Sequence, residues 1–479
     1  MLCGALLLAG CTERESGPVA VSAIGGTPEL RNPNLQALDA PAAALLLATA
    51  QGLVRFDAAG QIEPALAQSW IVSDDGLRYT FRLRRTDWQG GGKVTAEQVA
   101  ARLRAAASPA SRNPLKPLLG AVQEVVAMTD DVLEISLVAP RPNFLQLLAQ
   151  PELAIIHAGK GAGPFHAVQE VDHTALHLPP DEEAEEEQPV EEEDHETGIM
   201  LRGERAALAV ARFMAGRTDL VTGGTAGDLP IARAAEPGAD ALRFDPVSGL
   251  FGLSFGSRNG ITGDASVRRA LSMAVDRGAI VSALAVPELQ ARESLLPGGL
   301  VDLPQPTLPG WSASPLPMRR ATAAQAISAA AGGEPVTLRV AMPDGPGYRL
   351  LFAHLRRDWR AIGVTAERVA AGAADADLRL IDAVAPADMA SWYLRRFSCQ
   401  SSAICDASAD EMMAQARAAP TLRARQDILG NIDRAFADLT PFIPLAAPVR
   451  WSLVSPRLVG FRTNVFGRHN IAELIAAAP

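Results

Sequence analysis

The stretch Ser73-Asp-Asp-Gly-Leu-Arg-Tyr-Thr-Phe-Arg-Leu-Arg84 joins a turn to a strand with a period of two. From Leu77 to Leu83, apolar side chains alternate with polar ones, which predicts a strand that is buried on one face only. Thr95-Ala-Glu-Gln98 comes next as a capping box, the signature of a helix N-terminus. This part of the chain is therefore predicted to form a half-buried strand followed by a capped helix.

The second half of the chain alternates predicted strands with predicted helices. Residues 250–255 form a mostly apolar run, and Asp264 then supplies an N-cap to a helix. Residues 336–341 form another predicted strand, and the helix after it stops at Gly363. This alternation predicts an α/β fold in which at least some strands are parallel.

Charge is concentrated in one segment of the chain. Residues 181–196 hold eleven of the 54 acidic residues and no Lys or Arg. The remaining 43 acids face 44 bases, so the rest of the chain is nearly neutral and has no basic footprint for nucleic acid. The acidic run predicts a solvated, disordered loop, with weak cation capture together with His173 and His195 as the alternative.

The first residues have the pattern of an export signal. Residues 1–10 are almost wholly apolar, Cys11 comes next, and residues 11–18 are polar. This resembles a bacterial lipoprotein signal, with Cys11 as the lipidated residue and residues 11–18 as a tether. The apolar run is too short to span a bilayer. We therefore predict a periplasmic or cell-envelope protein held to the membrane by lipid, the alternative being an ordinary buried N-terminal segment.

The four cysteines divide between this signal and one later pair. Cys3 lies in the predicted signal and Cys11 is the predicted lipid site, which leaves Cys399 and Cys405. In an oxidising compartment this pair is predicted to form a disulfide, with two free thiols as the alternative. Two cysteines without nearby histidines do not supply four zinc ligands, so no metal site is predicted there.

Taken in order along the chain, the motifs resemble those of the oligopeptide, dipeptide and nickel class of extracellular solute-binding proteins, which serve ABC importers. The similarity runs through nearly the whole chain. Besides the turn and strand at residues 73–84 and the capping box at residues 95–98, the stretches that carry it are Gly52-Leu-Val-Arg-Phe-Asp57, Glu63-Pro-Ala-Leu-Ala-Gln-Ser-Trp70, Gly161-Ala-Gly-Pro-Phe165, Asp264-Ala-Ser-Val-Arg-Arg-Ala-Leu-Ser-Met-Ala-Val-Asp-Arg277 and Phe442-Ile-Pro-Leu445.

The resemblance implies an α/β, periplasmic-binding-protein-like clamshell of two lobes, with an extra subdomain inserted in the first lobe. Lobe I would comprise residues 19–62, 151–248 and 445–479, with the inserted subdomain at residues 63–150 and lobe II at residues 249–444. The implied partners are a ligand held between the lobes and the membrane permease of an ABC importer. We expect a monomer without a cofactor.

The resemblance also suggests ligand-binding residues. In peptide-binding members an aspartate pairs with the amino terminus of the ligand, because a buried ammonium needs a paired charge. Asp382 and Asp388 are the candidates here, an ordinary surface turn being the alternative. A di- or oligopeptide is the predicted ligand, and a nickel or other metal complex is the alternative. The predicted ligand-binding residues are Gln51, Phe255, Asp382, Asp388, Trp392 and Tyr393.

Gly252-Leu-Ser-Phe-Gly256 is the strongest enzyme signal in the sequence, because it fits the nucleophile elbow of serine hydrolases. That motif requires a sharp turn at Ser254 and a helix that starts at once. Here the strand-like run continues through Phe255 into a loop. We therefore predict a strand serine and no catalytic residue, and a hydrolase that uses Ser254 is a minor alternative.

Overall fold

The computed structural model describes four segments of the 479-residue chain. These are residues 17–141, 143–179, 198–238 and 240–476. The predicted lipoprotein signal, Cys11, most of the tether and the acidic run at residues 181–196 lie outside the described residues.

Eighteen strands lie in the described part of the chain. They form a seven-stranded, a five-stranded, a four-stranded and a two-stranded sheet. The strands are β1 (Val19–Ile24), β2 (Val54–Phe56), β3 (Ile62–Pro64), β4 (Ala67–Val72), β5 (Arg78–Leu83), β6 (Val122–Ala127), β7 (Val132–Leu137), β8 (His166–Gln169), β9 (Thr174–His177), β10 (Gly198–Glu204), β11 (Leu220–Thr225), β12 (Leu242–Asp245), β13 (Gly249–Phe255), β14 (Val336–Met342), β15 (Val364–Ala370), β16 (Leu378–Val384), β17 (Phe442–Ala446) and β18 (Arg450–Val454).

Fourteen α-helices lie in the same described segments. The longest, α13, has 18 residues. The helices are α1 (Ala40–Thr49), α2 (Ala96–Ala107), α3 (Lys116–Leu119), α4 (Phe144–Leu148), α5 (Ala206–Met214), α6 (Leu229–Ala234), α7 (Ala265–Ala274), α8 (Arg277–Leu284), α9 (Leu316–Ala331), α10 (Pro346–Arg360), α11 (Ala390–Arg395), α12 (Ala407–Ala418), α13 (Leu422–Leu439) and α14 (Glu473–Ala476).

The first lobe is built on the seven-stranded sheet, whose order is β12-β18-β11-β1-β10-β9-β8. The central strand β1 pairs in parallel with β10 and β11, and the other pairings are antiparallel. Val19, Val21 and Ala23 of β1 are buried in one apolar cluster with Leu45 of α1. A strand buried on both faces is expected at the centre of a parallel sheet, since helices cover it.

An inserted subdomain runs from β4 to α4 and contains the antiparallel sheet β4-β5-β7-β6. In β5, Tyr79 and Phe81 are buried whereas Arg82 is exposed, which confirms the predicted period of two. α2 begins with the predicted capping box. The Thr95 side chain accepts from the Gln98 N–H, and the Gln98 side chain accepts from the Thr95 N–H.

The second lobe is built on the five-stranded sheet, in the order β15-β14-β16-β13-β17. β14 is parallel to both β15 and β16, which confirms the predicted parallel strands, and β13 is antiparallel to its neighbours. α10 buries Leu351, Leu355 and Trp359 in the core of this lobe. The Trp359 indole donates to the Leu271 carbonyl at 3.0 Å, so α10 is fixed to α7.

The chain passes between the lobes twice, at residues 246–248 and at residues 447–449, which we call the crossing segments. The lobes also touch directly, because the Gly347 N–H at the start of α10 donates to the Gly227 carbonyl at 2.8 Å. A Cβ atom at Gly347 would lie 1.8 Å from the Ala226 carbonyl oxygen. Only glycine permits this approach of one lobe to the other.

Candidate functional site

A cavity of about 500 Å³ lies where the chain passes between the lobes, and we call it the hinge cavity. Its wall contains Phe244 and Asp245 of β12, both crossing segments and part of the loop at residues 286–298. The volume falls in the range of about 300–1,000 Å³ that is typical of small-molecule sites. Since its wall comes from both lobes, a ligand held there biases their relative arrangement.

Arg292 is a cationic side chain of the hinge cavity, and most of the N–H groups of its guanidinium have no acceptor among the described residues. One Nη donates to the Gly249 carbonyl at 2.8 Å. No other described residue accepts from its guanidinium, which is only partly exposed. Burial lowers the pKa of Arg292, but an arginine remains charged at neutral pH. A guanidinium with unused N–H groups is suited to bind a carboxylate.

Glu288 supplies an unpaired carboxylate at the rim of the same cavity. The residue is exposed, and its carboxylate has no hydrogen-bond or ion-pair partner in the part of the chain that the structure describes. Its φ of 58° lies in the left-handed region that side chains of this size rarely adopt. Hence one positive and one negative group, neither of them neutralised by another described residue, line one cavity.

The other two charged groups of the hinge cavity have partners within the protein. Arg450 donates to Asp382 Oδ1 at 2.7 Å. The Asp245 carboxylate accepts from the Asn464 N–H at 3.0 Å and lies 3.0 Å from the His469 ring nitrogen. These bonds fix the wall of the cavity, and they leave Arg292 and Glu288 as its available charges.

Asp382, a predicted ligand partner, connects the two lobes. It lies on β16 in the second lobe, whereas Arg450 lies on β18 in the first. Tyr348 of α10 donates its hydroxyl to the other carboxylate oxygen at 2.8 Å. Burial and the adjacent Asp382 carboxylate raise the pKa of Tyr348, which therefore stays protonated as a donor. Both oxygens of Asp382 are thus occupied by protein groups.

Asp388 lies against the inserted subdomain, where the Gln146 side chain accepts from its N–H at 3.3 Å, whereas Tyr393 lies beside a crossing segment. Asp388 Oδ1 is buried without a hydrogen-bond partner among the described residues, and burial together with Asp302 raises its pKa. The Tyr393 side chain is fully buried, and its hydroxyl lies 3.0 Å from the Ser248 hydroxyl in a crossing segment. Of the two aspartates predicted from the sequence, only Asp388 keeps a free carboxylate oxygen.

Phe255 and Trp392 line a second cavity of about 340 Å³, which we call the side cavity. It lies between the inserted subdomain and the second lobe, with Leu118 on one side and Arg379 on the other. The Arg396 guanidinium lies 5.2 Å from the centre of the Trp392 ring, a cation–π arrangement. Phe255 and Trp392 therefore meet in a cavity to whose wall Asp382 and Tyr393 do not contribute.

Gln51 lies in neither cavity. Its side-chain amide donates to the Ala162 carbonyl at 2.6 Å, and its backbone forms a bridge with Ile155. Gln51 therefore joins α1 to the segment that returns from the inserted subdomain. The structure therefore separates the predicted ligand residues. Asp382 and Tyr393 contact residues at the hinge cavity or a crossing segment, Phe255 and Trp392 line the side cavity, Asp388 lies against the inserted subdomain, and Gln51 lies apart from all of these.

Ser254 lies inside β13, with Arg379 and Phe442 opposite it on the neighbouring strands. Its hydroxyl donates to the Arg379 carbonyl at 3.4 Å. The strand continues to Phe255, so the sharp turn of a nucleophile elbow is not formed here. At the next residue, Gly256, a Cβ atom would lie 2.2 Å from the Ala376 carbonyl oxygen, so the backbone excludes a side chain.

Cys399 and Cys405 form a disulfide that closes the loop after α11. Ser401 to Ala403 of this loop contribute to the side cavity. In the described ranges, no group of three or more His, Cys, Asp and Glu side chains is arranged to hold a metal ion. None of the described helices combines the length and the apolar character needed to cross a membrane.

Two lobes joined by two crossing segments, with a ligand-sized cavity between them, define the class of two-lobed solute-binding receptors. Comparison with protein families agrees with this class. The profile described as "Bacterial extracellular solute-binding proteins, family 5 Middle" matches residues 61–194 and 203–393. The chain belongs to this family of binding proteins, which are receptors and not enzymes.

Two curated relatives from Escherichia coli match parts of the chain. A probable deoxycholate-binding periplasmic protein of strain K12 is 27% identical over 266 residues, which is 49% of each chain. A glutathione-binding protein is 34% identical over 125 residues, covering 25% of this chain and 24% of the relative. The matched regions thus span about half and about a quarter of these relatives.

Solved structures with the same fold match almost the whole chain. OppA of Haemophilus influenzae, in complex with the peptide RPPGFSPFR, has a TM-score of 0.81 at 16% identity and covers 94% of this chain and 98% of its own. The murein tripeptide binding protein MppA of Escherichia coli has a TM-score of 0.80 at 18% identity, with coverages of 95% and 97%. NikZ of Campylobacter jejuni, in complex with Ni(L-His), has a TM-score of 0.74 at 19% identity, with coverages of 94% and 96%.

Sequence reasoning missed Arg292 and Glu288. Both lie in the irregular loop between α8 and α9, where no periodicity or motif marks a function. Their importance becomes visible only when the fold brings this loop beside the crossing segments. The nearest sequence signal is the prolines at positions 287 and 297, which mark the loop but not its role.

Proposed function

We propose that this protein is the receptor of an ABC importer and that it binds a small peptide, or a related zwitterion, in the hinge cavity. One observation carries the proposal: Arg292 and Glu288, of opposite charge and without a neutralising partner among the described residues, line the same cavity between the lobes. A free peptide has one carboxylate and one ammonium group, which complement these two side chains.

Arg292 would bind the ligand carboxylate and Glu288 the ligand ammonium. Hydrogen bonds between charged groups are shorter and roughly twice as strong as neutral ones, and arginine can bind a carboxylate with two parallel N–H donors. Because Arg292 is partly buried, this interaction is screened less by water than an exposed pair would be. We propose Arg292 as the main determinant of affinity.

The relatives support a ligand that carries a carboxylate. The names of the curated relatives specify deoxycholate and glutathione, both of which are carboxylic acids. One structure of the same fold holds a peptide, and another belongs to a murein tripeptide binding protein. An arginine that binds a carboxylate is consistent with the ligands of all four of these proteins. A peptide also carries an ammonium group, which would pair with Glu288.

Delivery to a permease follows from the two-lobed design. A transporter can recognise the loaded receptor only if the ligand shifts the equilibrium between open and closed lobes. The hinge cavity has walls from both lobes, so a ligand there meets this requirement. As part of the same proposal, we retain the lobe boundaries and the lipid anchor at Cys11 that the sequence predicts.

Calorimetric titration with di- and tripeptides tests the proposal. We expect binding by the native protein and a loss of about tenfold or more in Arg292→Gln and in Glu288→Gln, since each change removes one charged hydrogen bond. Arg356→Gln and Glu411→Gln, at exposed positions of α10 and α12, serve as matched controls and should bind normally.

Further titrations separate the alternatives. Asp388→Asn in the same assay tests the ammonium-binding role that the sequence predicts for this residue. A second experiment changes the peptide. The native protein should bind a peptide with a blocked carboxyl end as weakly as Arg292→Gln binds the unblocked peptide. Nickel salts and a nickel–histidine complex form the comparison arm. Tight binding of the nickel complex without any peptide binding would replace the peptide receptor with a metal-complex receptor.

A further inference from the structure

Four arginines surround one small cavity between the inserted subdomain and the second lobe. Arg141 comes from the inserted subdomain, and Arg395, Arg417 and Arg425 come from α11, α12 and α13. The cavity has a volume of about 20 Å³, which is room for a single water-sized particle. We call it the arginine cavity. It is separate from the hinge cavity and does not depend on peptide binding there.

Described residues neutralise only one of these four charges with an ion pair. Arg425 has a carboxylate partner, Asp302, at 2.9 Å. Arg141 is 6% exposed, and its guanidinium donates only to the carbonyls of Pro140, at 2.8 Å, and Arg417, at 2.6 Å. The negative charge of Asp410 partly offsets the lowered pKa of Arg395. Asp410 nevertheless lies beyond ion-pair distance and does not line the cavity. A third acid, Asp388, lies close enough to Asp302 for that charge to raise its pKa. Of these three described acids, only Asp302 forms an ion pair with an arginine of the cavity.

Two of the guanidiniums have no partner at all among the described residues. The Arg395 guanidinium forms neither a hydrogen bond nor an ion pair with a described residue. The Arg417 side chain has a buried Nε without an acceptor. Burial and the neighbouring arginines lower the pKa of Arg141 and that of Arg395 to about 10, so both remain protonated at neutral pH. Arg395 and Arg417 are partly buried, whereas Arg141 is buried and has no carboxylate partner in the described chain. A buried cation without a counter-charge is unfavourable in a protein interior.

We propose that the arginine cavity binds one small inorganic anion, such as chloride. A water molecule could accept hydrogen bonds from these donors but would leave the excess positive charge in place. A monovalent anion accepts the same hydrogen bonds and also neutralises one positive charge. The hydroxyl of Ser391 also lines the cavity and has no acceptor in the described chain, so it can donate to the anion as well. The volume suits a single-atom anion, and Arg395 also lines the neighbouring side cavity.

The anion would join two parts of the molecule. Arg141 reaches the cavity from the inserted subdomain, whereas the other three arginines belong to the second lobe. Without an anion, the positive charge of Arg141 is repelled by the three arginines of the second lobe, which opposes contact between the inserted subdomain and that lobe. With an anion, the same four side chains hold them together. Chloride in the surrounding medium is thus expected to stabilise the arrangement in which the inserted subdomain contacts the second lobe.

Thermal unfolding of the full chain tests the site. Chloride would be exchanged for gluconate, which is too large for the cavity, at constant ionic strength. We expect a saturable rise in melting temperature of about 2 °C with chloride, because an anion that binds only the folded protein stabilises it. Arg395→Met should be more stable than the native protein in gluconate and should show no rise with chloride.

Arg423→Met is the matched control, because Arg423 lies on α13 near Arg425 but has an exposed side chain. This variant should respond to chloride as the native protein does. Crystals soaked in bromide give an independent measurement and should show an anomalous peak among the four guanidiniums. The absence of a chloride response in the native protein, an equal response in Arg395→Met, or a cavity without an anomalous peak overturns the proposal.

Discussion

Asp382 is the residue at which three elements of the two lobes meet. Its carboxylate on β16 accepts from Arg450 on β18 and from Tyr348 at the start of α10. The Asp382 and Arg450 side chains are largely buried, 9% and 18% exposed. Removing one partner of such a pair destabilises a protein more than removing one partner of an exposed pair, because the remaining buried charge is left without a counter-charge. Asp382 therefore holds the lobes in contact.

Asp382→Asn should lower the free energy of unfolding by about 2 kcal/mol, which is below the value for fully buried pairs because Arg450 keeps some contact with water. Urea unfolding at neutral pH measures the change. Asp375→Asn is the control, since Asp375 pairs with Arg339 on the exposed surface of the same lobe and should change stability by less than about 0.5 kcal/mol. Equal losses in both variants would contradict the role of Asp382.

At the scale of single elements, the capping box of α2 shows how much local sequence determines. Gln98 Oε1 accepts from the Thr95 N–H and also from the Trp88 indole, at 3.0 Å in each case. The box therefore fixes both the start of the helix and the preceding loop. All of its atoms lie within eleven residues of the chain, so sequence reasoning could predict it.

Thr95→Ala should destabilise the protein by about 1 kcal/mol, because it removes the side-chain acceptor at the N-terminus of α2. Thermal unfolding followed by circular dichroism measures the loss. Thr129→Ala is a matched control in the exposed turn between β6 and β7, where the hydroxyl bonds only to Asp131. A Thr95→Ala variant as stable as this control would show that the cap does not support the helix.

Elements without a local pattern were harder to predict. β16 is one such element. It extends over Leu378–Val384, and its last residues are half-buried and pair with β13, which lies far away in the sequence. α9 has no sequence signature, since its alanine-rich surface buries little beyond Ala323 and Ile327. Its position depends on packing against α7, a tertiary contact that no short window contains.

For the whole molecule, the ordered series of motifs predicts the two-lobed α/β class correctly, because each motif marks a turn, strand or helix of the family's framework. The ligand site is predicted less well. Asp382 does bond to Arg450 in the wall of the hinge cavity, but Asp388 lies against the inserted subdomain. Arg292 reaches the hinge cavity from a loop without a motif, and Phe255 and Trp392 line the side cavity. Convergence of side chains from distant segments is a property of the tertiary structure.

A ligand in the hinge cavity is expected to close the lobes. Small-angle X-ray scattering of the native protein, with and without a peptide shown to bind by calorimetry, tests it most directly. We predict a fall in the radius of gyration when the peptide binds. At a peptide concentration near the dissociation constant of the native protein, the fall should be much smaller in Arg292→Gln, because this variant binds the ligand more weakly. A native protein that binds the peptide with an unchanged radius of gyration would contradict the claim.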